Sequence, residues 1–136
     1  MGYLATLGNF LTWFPILAAL LAGFGAIYLQ LTPWRELRLI RAGNAAAAIS
    51  FGGALIGYAL VLASVTAHAI SRGDLVVWSV VGLVVQVAAF LVARLVYGAA
   101  LRARMEEGCL GAGVFLAAVS LSAGVLNAAS MIYEGP

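Results

Sequence analysis

The chain has 136 residues, of which 65% are hydrophobic and 9% charged, and its formal net charge is +2. Soluble proteins carry roughly 45–50% apolar and about 25% charged residues, and a domain this small needs polar side chains over most of its surface. The composition excludes a soluble globular enzyme, a disordered chain, a coiled coil and a disulfide scaffold. It leaves an integral membrane protein whose solvent is the lipid bilayer.

Four stretches lack Asp, Glu, Lys and Arg: 1–34, 42–71, 75–93 and 108–133. Each is long enough to cross a hydrocarbon core of about 30 Å as a helix. Four transmembrane helices are predicted, at roughly 8–31, 45–69, 76–97 and 110–133. Transmembrane β-strands would alternate polar and apolar residues, and LVVWSVVGLVVQVAAFLVA does not. The fold class is all-α: one polytopic membrane domain over 1–136. The first apolar run has no basic residue before Arg35 and is too long for a signal-peptide core. It reads as a retained first helix.

The first loop, 32–44, carries Arg35, Arg38 and Arg41. Thr32 is placed to cap a short helix with Pro33 at its first position and Glu36 near its positive end. Trp34 suits the interface. Gly43 is placed to end this helix, and Asn44 to cap the next. The third loop, 98–108, carries Arg102 and Arg104, whereas the second, 70–75, has only Arg72 beside Asp74. By the positive-inside rule, loops one and three face the cytoplasm and both termini face the periplasm. The loop arginines read as topology determinants that contact anionic headgroups, or as a docking surface for a protein partner.

A shift of 65 residues lays Trp78 on Trp13, Gly108 on Gly43, Ala112 on Ala47 and Ala128 on Ala63. This suggests a parallel tandem repeat of two-helix units, about 8–69 and 76–133, related by an axis near the membrane normal. The second unit alone carries intramembrane polar groups: Gln86, Arg94 and Asn127 stand where the first has Leu21, Leu29 and Leu62. Gln86 and Arg94 lie within about 80° of one helix face and about 12 Å apart in depth. Arg94 either snorkels to the headgroups or makes internal hydrogen bonds. Asn127 belongs to an outer-side polar group with Ser64, Thr66 and Thr12, which stability alone would explain.

Small residues mark helix contacts. Ala46, Ser50, Gly53 and Gly57 share a face of helix two, and Gly113, Ala117, Ser120, Gly124 and Ala128 share one of helix four. Such faces pack helices within a subunit or join subunits into a homo-oligomer. His68 and Cys109 are the lone residues of their kinds. No internal disulfide is possible, and Cys109 reads as a small apolar residue or a free thiol. No metal, haem, phosphate-loop, Ser/His/Asp or paired-carboxylate pattern occurs. The expectation is no enzyme, no cofactor and, for want of a basic stripe, no nucleic-acid partner.

The runs LTPWRELRLIRAGNAAAAISFGGALIGYALVL, VVGLVVQVAAFLVARLVYGAAL and GAGVFLAAVSLSAGVLNAASM resemble the YjfL-like bacterial inner-membrane family, a domain of unknown function. The likeness covers about residues 10–132. It rests on Thr32-Pro33, Asn44-Ala45-Ala46, Leu55 to Tyr58 (LIGY), Gln86, Arg94-Leu95 and Asn127-Ala128-Ala129. The family opens its fourth helix on Asn-Thr-Ala-Ala, where this chain has Cys109-Leu110-Gly111-Ala112. The resemblance implies a multi-pass inner-membrane protein of no established activity, with a link to envelope-stress proteins of the phage-shock type. Two functions remain: an oligomeric structural or adaptor component, or an oligomeric channel for a small solute, lined by Gln86, Arg94 and Asn127.

Overall fold

The computed structural model describes residues 2–131. Its helices are α1 (Gly2–Leu31), α2 (Glu36–Arg41), α3 (Ala45–His68), α4 (Arg72–Tyr97), α5 (Leu101–Glu106) and α6 (Leu110–Ser130). The four long helices are each apolar enough and long enough to cross a membrane. The six-residue helices α2 and α5 join α1 to α3 and α4 to α6 at one end, here termed the arginine end.

Several boundaries differ from the sequence expectation, each for a local reason. α4 begins at Arg72 because Ser71 and Asp74 form a reciprocal cap: Asp74 N donates to Ser71 Oγ (3.1 Å) and Ile70 N to Asp74 Oδ2 (3.2 Å). α1 runs back to Gly2, and α6 ends at Ser130; the expected last residues of helix four, 132 and 133, lie outside the described residues. α5 is not legible in the sequence. Thr32 does not cap α2, which starts at Glu36. Its hydroxyl donates instead to the carbonyls of Leu29 (3.2 Å) and Trp34 (3.3 Å). That irregular turn carries Trp34 inward, so its ring is 2% exposed rather than lying at the interface.

Gly43 (φ 87°) and Gly108 (φ 80°) end α2 and α5 in the left-handed conformation that glycine adopts without a Cβ clash. Asn44 then uses both ends of its carboxamide. Oδ1 accepts from Ala47 N (3.0 Å), capping α3, and Nδ2 donates to Met105 O (2.8 Å), tying the two connections together.

α3 is the centre of the bundle, with half of its span buried. It runs parallel to α6, and backbone touches backbone along the seam. A Cβ on Gly53 would fall 2.5 Å from Ala117 Cβ, one on Gly57 2.5 Å from Ser120 O, and one on Gly113 2.5 Å from Ala46 O. Gly124 lies directly against the Gly57 backbone. Lipid tails are as apolar as leucine, so close van der Waals contact of this kind, rather than water exclusion, holds such a pair together. Ser64 Oγ closes the seam by donating to Ala128 O (2.9 Å).

α4 packs on both α3 and α6, whereas α1 has its fully buried residues only in its second half. There Phe24 stacks on Tyr58 (4.6 Å between centroids), and Tyr28 meets Phe90 of α4 edge-on (5.2 Å). The first half of α1 leaves Tyr3, Leu4, Phe10 and Leu11 exposed, an apolar surface suited to lipid.

Candidate functional site

The arginine end concentrates the charge. Arg35, Arg38 and Arg41 on and beside α2, and Arg102 and Arg104 on α5, are all exposed. The two helices are not equivalent. On α5 the cations are balanced by exposed Glu106 and Glu107, and Arg102 Nε pairs with Glu106 Oε1 at 2.8 Å. On α2 the one acid, Glu36, is turned inward and is 1% exposed. The outer surface of α2 therefore presents three cations with no surface anion among them.

Beneath that surface is a small polar chamber. The Trp34 indole N–H donates to Glu36 Oε2, while Glu36 Oε1 has no hydrogen-bond partner. Trp34 lies against Phe90 (6.2 Å). On the bundle side of the chamber, Tyr28 Oη and Ser50 Oγ share a hydrogen bond of 2.8 Å. Burial pushes the Glu36 carboxyl up to about 7, and the hydrogen bond from the Trp34 indole pulls it back only in part.

The three intramembrane polar residues do not come together. Gln86, in the middle of α4, is 3% exposed, and neither its Oε1 nor its Nε2 has a partner. It is wedged beside Gly57, where a Cβ would fall 2.7 Å from Nε2. Arg94 is exposed on the outside of α4, in a shallow groove of about 570 Å³ with Leu91, Leu95, Gly98 and Ala99. Asn127 lines a separate cleft of about 1080 Å³ at the opposite end of the bundle, with His68, Asp74, Trp78 and Ser130 among its walls. Of the outer-side group expected around Asn127, Thr12 and Thr66 bond only to carbonyls of their own helices. Among the described residues no group of His, Cys, Asp and Glu side chains is placed to hold a metal.

The state of Gln86 carries an expectation. Two unpartnered polar atoms inside an apolar seam are costly, so Gln86→Leu keeps or raises thermal stability in detergent by up to about 2 kcal/mol. A clear loss of stability would show that the carboxamide is bonded in the membrane.

Sequence reasoning misses the Trp34–Glu36 chamber. The available signal is that Glu36 is the first acid of the chain and has no successor before Asp74. A lone acid among arginines at the end of a span reads as solvated.

Residues 2–131 match the profile of the family described as Domain of Unknown Function (DUF350). The chain is 35% identical over 133 residues to the UPF0719 inner membrane protein YjfL of Escherichia coli strain K12, covering 98% of this chain and all of the relative. The protein of the same name from Escherichia coli O157:H7 matches to the same extent. No solved structure gives a significant match.

Proposed function

The chain belongs to the DUF350 family and is a multi-pass inner-membrane protein, and on that footing we propose that it is a non-catalytic adaptor whose α2 surface recruits an acidic partner. The observation that carries this reading is the exposed, anion-free row of Arg35, Arg38 and Arg41 on a helix anchored to the bundle. Anchoring lowers the entropy lost on binding, and arginine forks suit carboxylates. The partner is an acidic segment of a cytoplasmic or envelope-stress protein. A pore lined by Gln86, Arg94 and Asn127 has no support in their placement, the first buried inside the bundle, the second on its outer side and the third in a cleft at the opposite end.

The reading includes a topology with the arginine end in the cytoplasm and both termini periplasmic. With Cys109 replaced by Ala, a cysteine at Gly2 is expected to react with an impermeant thiol reagent in intact cells. One at Ala103 is expected to react only after permeabilisation. The opposite pattern would reverse the orientation.

The reading also includes a parallel duplication. Its support is that α2 and α5 have equal lengths, and that the starts of α2 and α5, the starts of α3 and α6, and the left-handed Gly43 and Gly108 are each 65 residues apart. Because α6 fills the glycine face of α3, homo-oligomers would form through the outer faces of α1 and α4.

The docking test is in-cell photocrosslinking from Leu37, which is exposed on α2. Replacing Arg35, Arg38 and Arg41 together by Gln is expected to abolish the crosslinked species at an unchanged membrane level. Undiminished crosslinking would remove the adaptor reading.

A further inference from the structure

The least explained group in the molecule is the Glu36 carboxyl. It is 1% exposed, one of its oxygens has no partner, and among the described residues no cation pairs with it. The groups facing it come from every element packed around it. α1 supplies the Tyr28 hydroxyl, already engaged with Ser50. The connecting turn supplies the Trp34 indole and the Thr32 hydroxyl. The arginines of its own segment, Arg35, Arg38 and Arg41, are exposed. Among the described residues the one ion pair is Arg102–Glu106, on α5. α3 carries Asn44 at this end, with its carboxamide fully used, and its ionisable Tyr58 and His68 stand further along. α4 carries Arg94, exposed on its outer side.

A buried carboxylate without a cation is strongly disfavoured, whereas the neutral acid in the same place is not. The segment that holds Glu36 has a joint at each end. It runs from the irregular turn at 32–35 to the left-handed Gly43, and α2 has no side-chain cap at its start. We propose that Glu36 is a proton-operated latch: protonated, it docks Trp34 and α2 against the bundle, and ionised, it releases them. The latch regulates the α2 surface and so rests on the adaptor reading, because Arg35, Arg38 and Arg41 move with the segment. With burial holding the carboxyl near 7, the release falls around neutral pH. Trp34 and Glu36 leave together, so the indole exchanges its Phe90 contact for solvent.

The test uses the full chain in nanodiscs. Backbone hydrogen exchange over 33–41, corrected for the intrinsic base-catalysed rate, is compared at pH 6 and pH 8. Protection is expected to fall several-fold at pH 8 in the natural chain. It is expected to stay at the pH 6 level in Glu36→Gln, whose carboxamide oxygen still accepts from the indole. A second reading keeps Trp34 as sole fluorophore by changing Trp13 and Trp78 to Phe. Iodide quenching is expected to rise with pH through neutrality, and Glu36→Gln is expected to abolish that rise. Equal protection at the two pH values, or a transition that survives Glu36→Gln, would overturn the latch. Binding of poly-L-glutamate is measured alongside as the probe of the arginine surface. Its absence at both pH values alongside an intact exchange transition would reject the adaptor reading and leave the latch standing. Binding without any transition would do the reverse.

Discussion

Gly57→Ala is expected to lose stability, and Gly52→Ala is expected to keep it. Both residues lie inside α3 and differ only in what they face. A methyl added at Gly52 has nothing within 4 Å, whereas one added at Gly57 strikes the Ser120 carbonyl and the Gln86 side chain. The intrinsic preference favours Ala over Gly by about 1 kcal/mol in a helix, so Gly52→Ala is neutral or stabilising. At Gly57 the methyl can be housed only by forcing α3 and α6 apart along a seam held by close contact. The expected cost is roughly 1–3 kcal/mol, with more for Gly57→Leu. Gly53→Ala and Gly124→Ala behave like Gly57→Ala, since each also meets backbone. Thermal melts in one detergent settle the comparison. If Gly52→Ala and Gly57→Ala melted together, α3 and α6 would not meet as described.

This contrast shows what the sequence can and cannot disclose. The spans are legible because length and freedom from charge suffice to define them. The Asn44 cap is legible because its signal is local, as are the glycine stripes, because spacing in a helix is fixed. What the stripes touch is not legible: Gly53 and Gly57 suit a second copy as well as α6, and only the fold puts Ala117 and Gly124 opposite them. Helices that are apolar all round carry little periodic signal of orientation. Hence Gln86 and Arg94, eight residues apart on α4, group together by spacing, although one is buried and the other exposed. The Glu36 chamber depends on a turn at 32–35 in which Trp34 points inward, and the preference for Pro33 in a helical first turn suggests the opposite.

The second large effect is the pH dependence of stability. In the unfolded chain the Glu36 carboxyl has its ordinary value near 4.5, and in the folded chain burial raises it to about 7. The folded state therefore binds the proton more tightly. Its contribution is fully present below about pH 4.5, declines as the pH rises, and is gone above about pH 7. The difference across that window is at most about 3 kcal/mol, less whatever the release of α2 relieves. The natural chain is expected to melt at a lower temperature at pH 8 than at pH 5. Glu36→Gln is expected to flatten this dependence and to exceed the natural chain at pH 8. A natural chain equally stable at both pH values would mean that Glu36 is solvated or paired.

The α3–α6 seam has a consequence for biosynthesis. It joins the second span to the last, and the residues it brings together, Ala46 with Gly113 and Ser64 with Ala128, stand more than sixty positions apart in the chain. A ribosome delivers α3 to the membrane well before α6 exists, so the glycine face of α3 waits uncovered among lipids and other nascent helices. Until the final span arrives, α3 lacks the helix with which it makes its closest contacts. A chain interrupted before residue 110 would leave that face without the helix that covers it.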